Sequence, residues 1–270
     1  MKIWFITGTS RGFGREWTKA ALERGDKVAA VARNTDTLQD LVGRFGDSIL
    51  PLKLDVALRD DCFAAVKAAQ EHFGRLDVVV NNAGYGQFGM VEEISEAEAR
   101  AQMETNFFGA LWVTQAALPY LRQQNSGHIL QVSSVGGIAA FPNLSMYHAS
   151  KWAMEGLSEA LSQELAEFGI KVTLIEPGGF STNVMASSAR TTPIAAYDGT
   201  RETWTTRFAT AKQGDPAATS TAVFAVVDAE NPPLRLLLGE AATNIVGPLY
   251  AKRLEVWEEW KEVARAADGG

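Results

Sequence analysis

The sequence predicts an α/β fold built on a doubly wound parallel sheet with helices on both faces. Two observations carry that prediction. Short apolar runs alternate with longer amphipathic stretches from residue 2 to about residue 176. Each run is near-continuously apolar, as strands buried on both faces are. A glycine-rich turn, Thr7-Gly8-Thr9-Ser10-Arg11-Gly12-Phe13-Gly14, joins the first run to the first helical stretch.

In chain order the predicted strands are 2–7, 27–32, 49–54, 76–81, 128–133 and 170–176, with 234–239 as a further edge strand. Gly25 stands where the first helix should stop. Ser95 with Glu98 three positions on is a capping-box pattern and opens a long helix. Residues 147–169 contain no proline and end at Gly169, as a helix should. The segment 183–216 is rich in Ser, Thr, Ala and Arg, with Pro193, Gly199, Gly214 and Pro216. It comes directly after the sixth strand, where ligands of such sheets bind, so it is expected to act as a lid. The tail from about 241 to 267 reads as a surface or interface helix packing an apolar stripe of Leu254, Trp257 and Val263. With no internal repeat and no low-complexity linker, residues 1–270 are expected to form one domain.

Hydrophobic residues make up 46% of the 270 positions, enough for a full core. The formal net charge of −7 argues against a nucleic-acid partner, and no basic run suggests an anionic membrane surface. No stretch reaches the roughly 18–20 apolar residues of a membrane span. The N-terminal apolar run is short and passes straight into the glycine loop, so it reads as a strand and not as a signal peptide. A single cysteine, Cys62, permits no intramolecular disulfide and fits a reducing cytoplasm.

The glycine loop points to a phosphate. Glycines let a backbone turn tightly and approach a pyrophosphate, which the N–H groups of the adjoining helix can hold. The spacing, G-x-x-x-G-x-G, is wider than the commonest dinucleotide fingerprint. Sites for NAD place an acid at the end of the second strand to bind the ribose hydroxyl. Here that end reads Val31-Ala32-Arg33-Asn34, with no acid, and Arg11 lies inside the loop. Two guanidiniums suit a 2′-phosphate, so NADPH is expected over NADH.

Tyr147 and Lys151, four apart in a helical stretch, share one face. An ammonium beside a phenol favours phenolate, and a tuned tyrosine can donate a proton to a carbonyl oxygen. Ser133 and Ser134 sit at the carboxyl end of the preceding strand, where a hydroxyl could steady a substrate oxygen. Asn81-Asn82-Ala83-Gly84 holds the equivalent place after the fourth strand. Asn106 falls within a helix, an unfavourable place for asparagine that hints at a use for its side chain.

These motifs, in this order, resemble the short-chain dehydrogenase/reductase family over residues 2 to about 182, with its Rossmann-type sheet. The matching elements are Thr7 to Gly14, Asp55-Val56, Asn81 to Gly84, Asn106, Tyr147 to Lys151, and Pro177-Gly178 with Thr182 after them. The resemblance selects Ser134 over Ser133 as the catalytic serine, by its distance before the tyrosine. It implies that Tyr147 is the general acid or base, that Lys151 binds the nicotinamide ribose and tunes the tyrosine, and that Ser134 orients the carbonyl. Asn106 would hold a water in a proton relay. Gly8, Ser10, Arg11, Gly12, Phe13, Gly14 and Arg33 would hold the phosphates. Asp55 and Val56 would lie at the adenine, Asn82, Ala83 and Gly84 would line the cleft, and Pro177, Gly178 and Thr182 would lie at the carboxamide. The narrower pattern around Ser134–Lys151 and Glu176–Phe180 is most similar to members acting on hydroxysteroids and retinoids. The family further implies a homodimer or homotetramer.

His72, His128 and His148 show no metal-ligand spacing, and no metal is expected. Cys62 and the tryptophans 112, 152, 257 and 260 read as packing residues. Tyr85, Phe141, Pro142, Asn143 and Met146 flank motif residues and are expected at the substrate pocket, with Met185 and Tyr197 in or near the lid. That set is mostly apolar, with no arginine cluster, which suggests a moderately hydrophobic ketone, aldehyde or secondary alcohol. The competing readings are a non-catalytic NADPH-binding regulator and a sugar-nucleotide epimerase on the same fold.

Overall fold

The computed structural model describes residues 1–182, 188–209 and 212–269. Among them nine strands form two sheets: β1 (Ile3–Thr7), β2 (Lys27–Ala32), β3 (Ile49–Lys53), β4 (Val78–Asn81), β5 (Gln87–Phe88), β6 (Gly127–Val132), β7 (Ile170–Pro177), β8 (Ala189–Arg190) and β9 (Arg235–Leu238). The main sheet is seven-stranded and parallel throughout, in the order β3-β2-β1-β4-β6-β7-β9. The predicted strands, the edge strand included, coincide with its members. Two-residue β5 and β8 pair separately.

Side-chain alternation explains why both faces are covered. Ile3 and Phe5 of β1 point into one core, with Ala65 and Val66 of α3 (Arg59–Phe73), Val113 and Ala117 of α5 (Gly109–Gln124) and Leu161 of α6 (Ser145–Glu164). Trp4 and Ile6 point into the other, with Trp17 and Leu22 of α1 (Gly12–Glu23), Leu41 of α2 (Gln39–Phe45) and Val223 of the helix Thr219–Asp228. Residues one apart on each strand serve opposite cores, which is why the runs read as continuously apolar. Helices α1 and α2 with Thr219–Asp228 thus flank one face; α3, α5 and α6 flank the other.

Several local expectations hold. Gly25 adopts φ +86° one residue past the α1 cap, and its N–H bonds Leu22 O at 3.0 Å. Ser95 caps α4 (Glu96–Met103), its Oγ accepting from Glu98 N while Glu98 Oε2 accepts from Ser95 N at 2.9 Å. Between α4 and α5 the chain makes one π-helical turn, Glu104–Phe108, and Asn106 lies inside it.

The lid region is described in part; residues 183–187, Met185 among them, and 210–211 lie outside the described residues. Beyond β8 the chain forms α7 (Asp198–Ala209), then α8, the helix Thr219–Asp228. The segment is tied to the body through Glu93, which accepts from Ile194 N at 2.8 Å and pairs with Arg201. The tail folds as α9 (Glu240–Glu259) and α10 (Lys261–Ala266), but its stripe does not pack on this chain. Leu254, Trp257, Trp260 and Val263 are 59–66% exposed. The body is reached only as far as Arg253, which donates to Ile138 O at 3.0 Å and stacks over Trp152; residues 254–260 are all exposed. No described helix is long and apolar enough to cross a membrane.

Candidate active site

The strand order reverses between β1 and β4, and a crevice opens there at the carboxyl ends of the strands. It is a cleft of about 1480 Å³ reaching from the glycine loop to the lid. Its floor begins at Gly8 and Gly12, which take φ +72° and +58°. These left-handed conformations turn successive N–H groups toward the cleft, as anion-binding loops do.

The loop is braced from β4. Asn82 Nδ2 donates to Thr7 O at 2.8 Å and Gly8 O at 3.2 Å, while Thr7 Oγ1 accepts from the N–H groups of Asn82 and Ala83. Gly14 lies inside this brace: a Cβ there would stand 2.4 Å from Asn82 Nδ2 and 2.5 Å from Gly8 O. Gly14 therefore shapes the loop from behind, whereas Gly8, Ser10, Arg11, Gly12 and Phe13 line the cleft. Arg33, Asp55, Val56, Ala83, Gly84, Pro177, Gly178 and Thr182 line it as well. Asp55 also accepts from Ala57 N at 3.1 Å, which fixes the turn after β3. Arg11 and Arg33 are exposed at the rim, and neither has an acid partner among the described residues. A loop whose Gly8 and Gly14 leave no room for a Cβ, with two guanidiniums that have no acid partner among the described residues beside it, fits a dinucleotide.

At the other end Ser134, Tyr147 and Lys151 line the same cleft. Helix α6 starts at Ser145, so Tyr147 sits in its first turn and Lys151 one turn on. Ser134 Oγ accepts from Gly136 N at 3.0 Å and lies 3.5 Å from Pro177 O, which sets the hydroxyl at the base of the loop. Lys151 is 6% exposed and donates to Val132 O at 2.7 Å. Its Nζ lies 5.9 Å from the centroid of the Tyr147 ring. Burial pushes Lys151 down to about 8, with the charge of Glu155 opposing. Burial likewise holds Tyr147 above its ordinary value, and a hydrogen bond with Ser134 draws it back.

Asn106 does not reach the cleft wall. It is buried, its Oδ1 accepts from Tyr85 N at 3.0 Å, and its Nδ2 donates to Tyr85 O at 3.0 Å and Ser150 Oγ at 3.2 Å. The π-helical turn delivers this amide to the Gly84–Tyr85 backbone. A Cβ on Gly84 would stand 3.1 Å from Asn106 Oδ1 and 3.7 Å from Lys151 Nζ, so Gly84 separates the two.

His148 holds the loop before α6. Nε2 accepts from Phe141 N at 3.0 Å, so the proton sits on Nδ1, which donates to Gly136 O at 2.9 Å. Burial keeps the ring neutral. Cys62 is buried, its thiol pushed up to about 12 by burial. Among the described residues no cluster of His, Cys, Asp or Glu could hold a metal ion.

Tyr85, Phe141, Pro142 and Asn143 line the cleft as expected, but Met146 does not; Tyr197, in the segment after β8, bonds Glu92 at 2.6 Å. Sequence reasoning missed Arg190, Trp204, Arg207, Ile245 and Leu249, all of which line it. No arginine cluster was expected at the substrate end; two arginines do line it, each over an aromatic ring, Arg190 over Phe88 and Arg207 over Trp204. The lid and α9 bring these residues in from segments that carry no motif, so no local signal marked them.

The sequence model for short chain dehydrogenase matches residues 2–193. The chain belongs to the short-chain dehydrogenase/reductase family. It is 42% identical to oxidoreductase BOA17 of Botryotinia fuckeliana (strain B05.10) over 98% of this chain and 99% of that one. A short-chain dehydrogenase from Streptomyces avermitilis has the same fold with a TM-score of 0.93, at 37% identity over 98% of each chain. An alcohol dehydrogenase from the archaeon Thermococcus sibiricus, complexed with 5-hydroxy-NADP, superposes with a TM-score of 0.74 at 27% identity, over 88% of this chain and 96% of that one. A 3-ketoacyl-(acyl-carrier-protein) reductase from Brucella melitensis, complexed with NADH, has a TM-score of 0.76 at 26% identity over 88% and 96%. The chain is thus an oxidoreductase of this family, whose cofactor class is NAD(P). The motifs that fit this class are the loop Thr7–Gly14 and the residues Ser134, Tyr147 and Lys151.

Proposed function

We propose that this dehydrogenase is an NADPH-dependent carbonyl reductase for a moderately hydrophobic ketone or aldehyde, able to run in reverse on the secondary alcohol. One observation carries the reading: Ser134, Tyr147 and Lys151 face the same cleft as Arg11 and Arg33, two guanidiniums with no acid partner among the described residues. Arg33 stands where an acid would select NAD, and both guanidiniums suit a 2′-phosphate.

A bound nicotinamide dinucleotide supplies the hydride. The protein's own groups handle the proton and the geometry. Ser134 Oγ, oriented by Gly136 N–H, donates to the carbonyl oxygen and steadies its developing charge. Tyr147 donates its phenolic proton to that oxygen, and the Lys151 ammonium stabilises the phenolate left behind. In oxidation Tyr147 takes the proton instead. Asn106 fixes the Gly84–Tyr85 backbone beside Lys151. The wall at the lid end combines Phe141, Trp204, Ile245 and Leu249, an apolar surface that suits a hydrocarbon body such as a steroid or retinoid skeleton. The long helices α4–α5 and α6 are the faces proposed for a dimer or tetramer, to be checked by sedimentation equilibrium. The lone, buried Cys62 agrees with a reducing cytoplasm.

The test is NADPH consumption, monitored by absorbance, against a panel of ketones and aldehydes with Tyr147→Phe in parallel. Loss of the acid should lower turnover by roughly 100-fold or more while NADPH affinity stays within about twofold. A phenylalanine variant as active as the parent would refute the assignment. Absence of turnover with tight NADPH binding would favour a regulator that binds the cofactor.

A further inference from the structure

Behind Lys151 lies a second titratable cluster that the reaction as described leaves unused. Glu155 lies one turn beyond Lys151 on α6 and is 5% exposed; Glu176, on β7, is 1% exposed. Arg235 of β9 bridges them, with Nε 3.0 Å from Glu155 Oε2 and 3.6 Å from Glu176 Oε1, and its Nη2 donates to Glu159 Oε2 at 2.8 Å. Ser133 reaches Glu155 from the strand side. A Cβ on Gly137 would stand 2.4 Å from Ser133 Oγ and 3.0 Å from Glu155 Oε1, so the glycine keeps this corner open.

We propose that the Glu155–Glu176 pair, clamped by Arg235, is a positioning group that keeps the Lys151 ammonium charged and thereby sets the pH at which Tyr147 exchanges its proton. This rests on the catalytic reading given above. Two buried carboxyls that share one guanidinium cannot both ionise cheaply. Neither Glu155 Oε1 nor Glu176 Oε1 has a hydrogen-bond partner among the described residues, a gap that one proton shared between the two carboxyls would fill. Glu176 is the protonated member, pushed up to about 8 by burial and by the neighbouring Glu155 charge. A proton held between the two favours the ionised form of Glu155 against the upward push of burial. The carboxylate that results lies one turn from Lys151 on α6 and opposes the loss of its proton. The charged and titratable groups around the pair are Lys151 and Glu159 from α6, Glu176 from β7 and Arg235 from β9, with the Ser133 hydroxyl from the turn after β6.

Glu155→Gln removes the charge that favours the ammonium. Lys151 then loses its proton at lower pH, phenolate is less stabilised, and Tyr147 keeps its proton to higher pH.

Two readouts test this. One is the acid limb of kcat/KM for alcohol oxidation against pH. The other, needing no substrate, is the ultraviolet phenolate titration of Tyr147, isolated as the difference between each protein and its Tyr147→Phe version. Glu155→Gln should move both to higher pH by about one unit. Glu155→Asp, which keeps the charge, should recover most of the shift, and Glu159→Gln, on the solvent side of Arg235, should leave both in place. If Glu155→Gln does not fold, the double variant Glu155→Gln/Arg235→Met, which leaves no guanidinium unpaired, is read instead and should show the same shift. A folded Glu155→Gln protein that loses thermal stability but titrates like the parent would overturn the proposal and leave the pair a structural staple. A shift in the tyrosine titration in a chain that turns over no alcohol would sink the catalytic reading but not this one.

Discussion

Arg33 offers the sharpest test of cofactor choice. It stands directly after β2, is exposed at the cleft rim and has no acid partner among the described residues. Replacing it with alanine therefore breaks no ion pair and should leave the fold as it is. On the proposed reading the substitution removes a charge-assisted, two-pronged contact to a 2′-phosphate. Such a bond contributes about 1.5–3 kcal/mol, and exposure places this one near the lower bound. At about 1.4–2 kcal/mol the NADPH dissociation constant rises roughly 10- to 30-fold. NADH lacks that phosphate, so its affinity should stay within about twofold. Arg11→Ala should act in the same sense, and the double variant should lower the NADPH-to-NADH preference by roughly 100-fold if the two contributions add. Both cofactors are titrated by quenching of tryptophan fluorescence at one fixed ionic strength, because salt screens exposed charges. An equal loss for NADPH and NADH would refute the reasoning, since it would mean that Arg33 supports the shared part of the cofactor or the loop itself.

Three further outcomes are expected. Gly14→Ala, whose Cβ would stand 2.4 Å from Asn82 Nδ2, should distort the loop and cost about 1–3 kcal/mol of stability by urea unfolding, with cofactor affinity falling as well. Asp26 is buried and, despite the upward push of burial, is held low by hydrogen bonds from Lys2 N–H, Arg24 and Trp4 Nε1; its stabilisation is fully present above its unfolded value of 3.8 and is lost as pH falls through the lower folded value, and Asp26→Ala should cost about 3–5 kcal/mol at pH 7. Glu93, drawn down to about 2 chiefly by Arg201, latches the segment around Ile194 to the body, so Glu93→Gln should speed proteolytic cleavage of that segment without changing the thermal midpoint of the core.

How much of this was legible in the sequence depended on whether a signal was local. The strands were legible because a strand buried on both faces must be apolar at every position, and Trp4, Phe5 and Ile6 each meet that demand on one core or the other. Ser95 and Glu98 were legible because a capping box spans four residues. The glycine loop and the pair Tyr147–Lys151 were legible for the same reason. Asn106 was only half legible: the oddity of a helical asparagine showed, but the π-helical turn that aims its amide at Tyr85 did not, since one extra residue in a turn has no composition. The tail was legible as a helix carrying an apolar stripe, but not what that stripe packs on, because such a stripe looks the same whether it covers a core or is exposed as Trp257 is. Glu155, Glu176 and Arg235 were invisible, being 21 and 59 residues apart along the chain (176 − 155 and 235 − 176) and brought together only by the β7–β9 pairing and the packing of α6.

Charge shows the same limit from another side. A net charge of −7 argues well against a long polyanion, which must lie along an extended surface. It says nothing of the field inside a crevice. Among the described residues the cleft is lined by Arg11, Arg33, Arg190, Arg207 and Lys151 against a single acid, Asp55. Low-dielectric walls focus such a field, so the crevice favours a small dianion whatever the sign of the whole chain. Behind the ammonium the sign reverses again, at Glu155 and Glu176. Positive rim, buried ammonium and buried carboxyl pair lie along one path from solvent to the rear of α6. On the proposed reading each layer acts on the next: the rim guanidiniums suit the phosphates, the ammonium favours the phenolate of Tyr147, and the carboxylate favours the ammonium. An average over the sequence cancels these terms; the fold sets the Lys151 ammonium 5.9 Å from the Tyr147 ring, where on the proposed mechanism it works against the upward push of burial on the phenol.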